Sequence, residues 1–355
     1  MNEQKSGLVG LEPFAPEAES GWYSAMEQYW HAVAYAKDLL ENQPLAATLL
    51  GRSLALVRTG GEVHAFSDIC RHRGASLSLG SVQGDCLVCP YHGWEYDMQG
   101  EVVRIPSRPE LSGVFKARLD RFPCQEAAGM IWVSLVETPW GAVPQLTQWN
   151  DSAIRWQTPA FYDWKTSVPR RLENFVDFSH FPYVHEHVLG SRDRPEVEDH
   201  DVWREDQVLR FVRWPVEPNE HKMKELLEID EPLMTVENQY HLAMPATITL
   251  ERIFPNGRRY ILFMSSSPLG PGACRNFWHI GSDFSRGPED EAYLLDFEDR
   301  VLAQDKPIVE SQLPERLPDN LDAEMYVKIA DSVTLNYRQW LLDLSSRYLN
   351  RKDQE

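Results

Sequence analysis

Two cysteines and two histidines stand in paired sets, Cys70-Arg71-His72 and Cys89-Pro90-Tyr91-His92. A cluster of two irons bridged by two sulfides needs two terminal ligands on each iron. Thiolates suit the ferric iron, and two neutral imidazoles on the other iron raise the potential above that of an all-cysteine cluster. Each loop offers one Cys and one His, so two facing loops would clamp both irons. Gly74, Gly93 and Pro90 suit tight loops that pack close to a cluster. A structural zinc site is the ordinary alternative. Zinc sites with two Cys and two His pair like with like, and interleaved Cys-x-His and Cys-x-x-His pairs do not follow that spacing. Cys86 lies near the second loop but is read as packing, as are Cys124 and Cys274.

A second set lies downstream, Asp177-x-x-His180-x-x-x-x-His185. Two histidines and one carboxylate on one face of a ferrous ion leave its other positions open for dioxygen and substrate. Pro169 to His185 reads as helical. On a helix Asp177 and His180 share a face, but His180 and His185 stand about 140° apart, so both reach one metal only if the helix is distorted. Pro182 offers a cause. The carboxylate must come from further along, and by chemistry alone Asp296, Asp299, Asp305, Glu310 and Asp331 all qualify.

The two Cys-His loops resemble the Rieske family. Members in respiratory complexes carry two further cysteines that staple the loops; their places here hold Ala75 and Tyr91. The resemblance is therefore to the Rieske domains of oxygenases. The run Glu173 to His185 resembles the second-iron motif of Rieske non-heme iron oxygenases, whose spacing selects His185 rather than His187. Ala303-Gln304-Asp305-Lys306-Pro307 resembles the segment that carries the carboxylate in demethylase-type members, which makes Asp305 the third ligand.

That resemblance implies a [2Fe-2S] cluster on Cys70, His72, Cys89 and His92, and a mononuclear Fe(II) on His180, His185 and Asp305. It implies a head-to-tail homotrimer in which Asp177 bridges His180 to His92 of the partner subunit, with Asn174 close to the iron. Dioxygen is the co-substrate, and NAD(P)H supplies electrons through a separate reductase or ferredoxin. The runs Arg170 to Asn174 and Asp305 to Gln312 look most like N- and O-demethylases, including those of methylxanthines and methoxybenzoates. The expected reaction is oxidative demethylation of a small aromatic or heterocyclic compound with release of formaldehyde. Ring or alkyl hydroxylation is the alternative, and an electron carrier with no oxygenase activity is the remoter one. About two irons per chain would mark the carrier, about three the oxygenase.

The elements that must position these residues fall into two halves. The first reads as short strands and turns: Ala46 to Thr59 broken at Gly51-Arg52, Glu62 to Ser67, Trp94 to Tyr96 with Glu101 to Ile105, and a buried strand from Ala127 to Val136. The Pro- and Gly-containing stretch 139–144 then places a boundary near Gln145. Residues 1–145 form the cluster domain with an N-terminal extension, and 146–355 the mononuclear iron domain. In the second half Val208 to Val216, Tyr240 to Phe254, Arg259 to Ser266 and Asn276 to Phe284 read as strands of one sheet. Glu289 to Gln304 and Ala323 to Leu349 read as helices, the latter with a stripe of Ile329, Val333, Tyr337, Leu341, Leu344 and Tyr348. The class is α+β: an all-β domain followed by an antiparallel sheet with helices. Met244, Thr247, Thr249, Phe263 and Phe297 are candidates for the substrate pocket, with core packing as the ordinary role of each.

Composition excludes several functions. Of 355 residues, 35 are basic and 54 acidic, a formal charge of -19. That balance argues against a nucleic-acid binder and against docking on anionic lipid. No apolar run reaches the roughly 20 residues of a membrane span. The N-terminus carries no signal-peptide pattern, and five cysteines are an odd number for a disulfide scaffold, so a reducing cytoplasm is expected. Arg71, Arg73, Lys116, Arg118 and Arg121 are a candidate basic patch for an acidic ferredoxin-type partner, solvated charges being the plain alternative.

Overall fold

The computed structural model describes residues 21–114, 116–318 and 320–352. The N-terminal half consists of three small antiparallel sheets. One joins Leu45–Leu49, Arg52–Thr59, Glu62–Ser67 and Arg121–Phe122. A second is a meander of Ser81–Gln83, Cys86–Val88, Glu95–Asp97 and Val102–Arg104. The third places Met130–Val133 between His31–Tyr35 and Cys124–Ala127. Ala55, Val57, Phe66, Leu87, Tyr96 and Val102 form a core of their own beneath the 70–75 and 89–94 loops.

The stretch from Ala127 to Val136 is not one strand. Ala128 (φ 47°) and Gly129 (φ 68°) turn the chain back, so that Ala127 pairs with Met130. Two consecutive left-handed residues make the tight turn whose twist matches a hairpin, a signal that apolar content does not carry.

The second half is built on an eight-stranded antiparallel sheet. Its path runs Arg155–Gln157, Ala273–Ser282, Arg259–Gly270, Thr247–Ile253, Glu237–Ala243, Val208–Arg213 and Val202–Glu205, and Tyr162–Trp164 pairs with a further part of Ala273–Ser282. Among the described residues six α-helices accompany the sheets: α1 Gly21–Ala25, α2 Val168–Val176, α3 Phe181–Val184, α4 His221–Leu227, α5 Pro288–Val309 and α6 Ser332–Lys352. The expected strand from Tyr240 to Phe254 is two strands around Met244-Pro245-Ala246, and the expected helix from Ala323 begins only at Ser332. Val333, Tyr337, Leu341, Leu344 and Tyr348 are buried as the stripe requires, whereas Ile329 lies before the helix and is exposed. None of the helices among the described residues is long and apolar enough to cross a membrane.

The two faces of the long 259–282 hairpin do different work. Leu262, Met264 and Trp278 face α2 and α5. Phe263 and Phe277, one residue out of step, face the N-terminal half, against Trp132 and Tyr35. Polar bonds lock that contact: Leu50 N–H donates to Pro268 O at 2.7 Å, and the buried His279 bonds Ala128 O and the Thr158 hydroxyl.

Candidate metal centres

The two Cys-His loops are the same turn built twice. In the first, Cys70 N–H donates to Ala75 O and Gly74 N–H to Cys70 O, both at 2.9 Å. In the second, Cys89 N–H donates to Trp94 O at 2.8 Å and Gly93 N–H to Cys89 O at 3.1 Å. Gly74 and Gly93 sit at φ +72° and +67°, where a side chain is strained. The repeat holds Cys70 and Cys89 buried side by side, and brings the His72 and His92 rings to 4.5 Å. His72 stacks on Trp94 at 4.7 Å, and its Nδ1 is buried with no hydrogen-bond partner. His92 and Tyr91 are exposed at the tip. All four expected ligands therefore meet, two soft and buried, two imidazoles toward the surface, which is the donor set a two-iron cluster needs.

Tyr96 completes this end and was not singled out in the sequence. Its hydroxyl lies 3.2 Å from Cys70 Sγ and accepts Arg71 N–H at 3.1 Å. Burial and the neighbouring thiols push the phenol far above its ordinary range, so the hydroxyl keeps its proton for the sulfur. Cys124 Sγ instead donates to Val63 O, and Cys274 is fully buried near Asn276. Arg71, Arg73, Lys116, Arg118 and Arg121 are all exposed.

The second centre forms where the expected long helix breaks. The cause is Asp177, not Pro182. Asp177 leaves helical geometry at φ -88°, ψ 120°, and its Oδ1 accepts Ser179 N–H at 2.8 Å, a side-chain turn that competes with the helix. Pro182 sits in the first turn of the short α3 rather than ending a helix, since its missing N–H is harmless there. His180 caps one end of α3 and His185 the other. Over a single turn the two rings come to 5.1 Å.

Asp305 arrives from α5, its Oδ1 3.0 Å from His185 Nε2 and 3.4 Å from His180 Nε2. The donor atoms of the three lie within 4.8 Å of one another. All three atoms are buried and have no hydrogen-bond partner. The other candidate acids do not converge: Asp296 and Asp299 are exposed, Glu310 accepts Lys165 N–H, and Asp331 accepts Val327 N–H. His187 is exposed.

Three buried polar atoms aimed at one point without satisfying each other fit a bound cation. The electrostatics agree. Burial disfavours an imidazolium at His180, yet the Asp177 and Asp305 carboxylates outweigh it and push this group up to about 9. Burial also opposes the Asp305 carboxylate, but the two imidazoles hold it well below the usual range. The site thus attracts positive charge. The far nitrogens are occupied: His180 Nδ1 meets Asp177 Oδ2 at 3.2 Å and His185 Nδ1 meets Gln304 Oε1 at 2.8 Å. Such acceptors keep the proton on Nδ1 and turn the Nε2 lone pair inward. Gln304 was visible only as the neighbour of Asp305.

Asn174, His180 and Asp305 form a wall between two spaces. On the inner side is a mostly apolar pocket with a free volume of about 80 Å³. On the outer side is a cleft that also takes in Asp177, Ile308 and Met325. Of the expected pocket residues only Phe297 lines the inner cavity. Thr247, Thr249 and Phe263 lie on the opposite sheet face from Leu250, Leu262 and Met264, and Met244 sits in a buried turn. These four take the core-packing role, since a two-residue period fixes which residues share a face but not which face meets the cavity.

The comparisons with known proteins agree with this arrangement. Residues 29–123 match the Rieske [2Fe-2S] domain, and residues 164–347 match the vanillate O-demethylase oxygenase C-terminal domain. Methylxanthine N1-demethylase NdmA of Pseudomonas putida is 33% identical over 331 residues, 91% of this chain and 90% of that protein. Methylxanthine N3-demethylase NdmB of the same organism is 31% identical, covering 94% and 93%. The solved structure of Pseudomonas putida NdmA with caffeine superimposes with a TM-score of 0.82 at 32% identity, over 92% of this chain and 93% of that one. The expected α+β architecture stands, as does the pairing of a [2Fe-2S] cluster with a mononuclear iron. The chain belongs to the Rieske non-heme iron oxygenases, as a monooxygenase component.

Proposed function

We propose that this chain removes an N-methyl group from a small heterocycle as formaldehyde. The observation that carries the reading is the convergence of His180 Nε2, His185 Nε2 and Asp305 Oδ1 at the floor of a largely apolar pocket. In this reading Cys70, His72, Cys89 and His92 hold the cluster, and His180, His185 and Asp305 hold the iron. When bound, the cluster stores single electrons and the iron activates dioxygen for insertion into a C–H bond. The balance is N–CH₃ + O₂ + 2 H⁺ + 2 e⁻ giving N–CH₂OH + H₂O, and N–CH₂OH then splits into N–H and formaldehyde. The chain's own groups orient the methyl carbon against the His180–His185–Asp305 face, exclude water with an apolar wall, and fix the imidazole tautomers through Asp177 and Gln304. N-demethylase relatives at 33% and 31% identity over nearly the whole chain support the N-methyl choice.

Electrons reach the outer side of the wall. Asp177 takes the role of bridge between His180 and His92 of the partner subunit in a head-to-tail trimer. Three features support this. Asp177 opens on the outer cleft. That cleft is rimmed by exposed Ile308 and Met325, 48% and 99% accessible. The cluster tip presents the exposed apolar Ile69, Leu79 and Tyr91. A separate NAD(P)H-linked reductase or ferredoxin delivers the electrons, with Arg71 and Arg73 beside the tip as docking charges. A cytoplasmic location goes with that partner, and all five cysteines are unpaired, as a reducing compartment keeps them. We divide the chain near Gln145, between the two matched segments.

His180→Ala tests the assignment. The visible absorption of the cluster stays, iron falls from about three to about two per chain, and formaldehyde release from N-methyl heterocycles is lost. Full activity in that variant would refute the reading.

A further inference from the structure

Buried charges in this protein are generally paired. Glu217 meets Arg252, Arg170 meets Glu324, and Arg213 meets Glu198. Arg171 and the partly buried Glu298 lack an ion pair, as does Asp68, which the Ser78 backbone N–H and hydroxyl answer; of the three, Arg171 and Glu298 open on the inner cavity. Arg171, on α2, is 2% exposed. It donates to Asn174 Oδ1 at 3.0 Å and to the Tyr162 hydroxyl at 2.9 Å, and lies 4.4 Å over Trp164. None of the described carboxylates forms an ion pair with it, and its buried Nε has no acceptor. Glu298, on α5 two turns before Asp305, receives the Tyr260 hydroxyl on Oε1 at 2.6 Å. None of the described cations forms an ion pair with it, since Arg252 is committed to Glu217. Burial pushes its carboxyl up, with Tyr260 and Arg252 working the other way. Arg171 and Glu298 form no ion pair with each other.

An isolated buried charge is expensive, and it persists where something outside the chain supplies the missing partner. We propose that Arg171 and Glu298 are the specificity-determining pair of this cavity. Arg171 donates to an oxygen of the substrate, and Glu298 accepts from an N–H of the same molecule. The substrate is then a flat, N-methylated heterocycle with a carbonyl oxygen and at least one ring N–H left unmethylated. Phe175, Tyr240, Trp278 and Phe297 supply walls for a flat ring. A carboxylate on a benzene ring satisfies Arg171 but leaves Glu298 without a donor. A fully methylated heterocycle does the same, and a site built around a polar contact rejects the analogue that lacks it. This inference rests on the N-demethylase reading and adds the class of substrate.

The test uses the complete protein with its metals, without oxygen or reductant, and measures binding by calorimetry. Theobromine keeps one ring N–H; caffeine carries a methyl there and is otherwise identical. The expected preference for theobromine is about 10- to 100-fold, the range for a hydrogen bond to a charged group. Glu298→Leu erases or inverts it, and Glu298→Gln, which keeps shape and an oxygen acceptor, retains part of it. Arg171→Gln weakens both compounds by a similar factor, because both carry carbonyl oxygens. A wild-type preference for caffeine, or a theobromine preference that survives Glu298→Leu, overturns the inference while formaldehyde release from these compounds leaves the N-demethylase reading standing. Binding of neither compound, with formaldehyde released from methoxybenzoates, overturns both.

Discussion

The two metal-binding regions are built on opposite plans. The cluster loops use backbone. Two near-identical turns, 19 residues apart, each spend a glycine at positive φ to present one Cys and one His, and the result stands at an exposed tip. The candidate iron site uses side chains from distant segments. His180 and His185 come from a broken helix, Asp305 from α5 some 120 residues later, and all three candidate ligand atoms are buried beside the pocket. A tip suits a centre that must accept electrons from one protein and pass them to another. A floor suits a centre that must hold substrate away from water. Each plan also has its own support: hydrogen bonds to sulfur at the tip, acceptors behind each imidazole at the floor.

That contrast can be broken at the joint between the two plans. Asp177→Asn is expected to leave both metals bound and to slow electron transfer by about 100-fold in single-turnover kinetics, since partners behind metal ligands typically carry factors of 10 to 100. Unchanged transfer would remove Asp177 from the path. Gln304→Leu sharpens the same contrast from the floor. It should weaken iron binding about tenfold in a chelator competition while leaving the cluster absorption untouched. Loss of both metals together would mean that the regions are not independently built. The smallest effect belongs to the tip. Tyr96→Phe removes a donor to Cys70 Sγ, worth about 1 kcal/mol, on the order of 40 mV for one electron. The cluster potential should fall by that amount in a redox titration, with iron affinity unchanged; a potential that stays put would show that the hydroxyl serves packing alone.

The cluster loops were legible residue by residue because their geometry is local. Cys-x-His, Cys-x-x-His and the following glycines encode two turns that need little from elsewhere. The strands of Arg52–Thr59, Glu62–Ser67 and the long 259–282 hairpin were legible from their patterning for the same reason. The pocket was not. Thr247, Thr249 and Phe263 were candidates with no face assigned, because alternation fixes which residues share a face but not which face meets α2 and α5; they pack in the core instead. The break at Asp177 was assigned to Pro182, since a proline is a louder signal than a carboxylate that bonds a backbone N–H two residues on.

What the sequence alone determined is therefore the chemistry on offer: a mixed thiolate-imidazole set, a pair of histidines with an acid near them, and the order of the two domains. It left five acids eligible as the third ligand. The family resemblance picked Asp305 from among them; the packing of α5 brought its carboxylate to His180 and His185, placed Gln304 behind His185, and set Arg171 and Glu298 without an ion pair in one cavity. Local turns follow from short-range backbone preference, which a sequence carries directly. Contacts across 120 residues follow from how buried faces fit, and that is settled only when the whole chain folds.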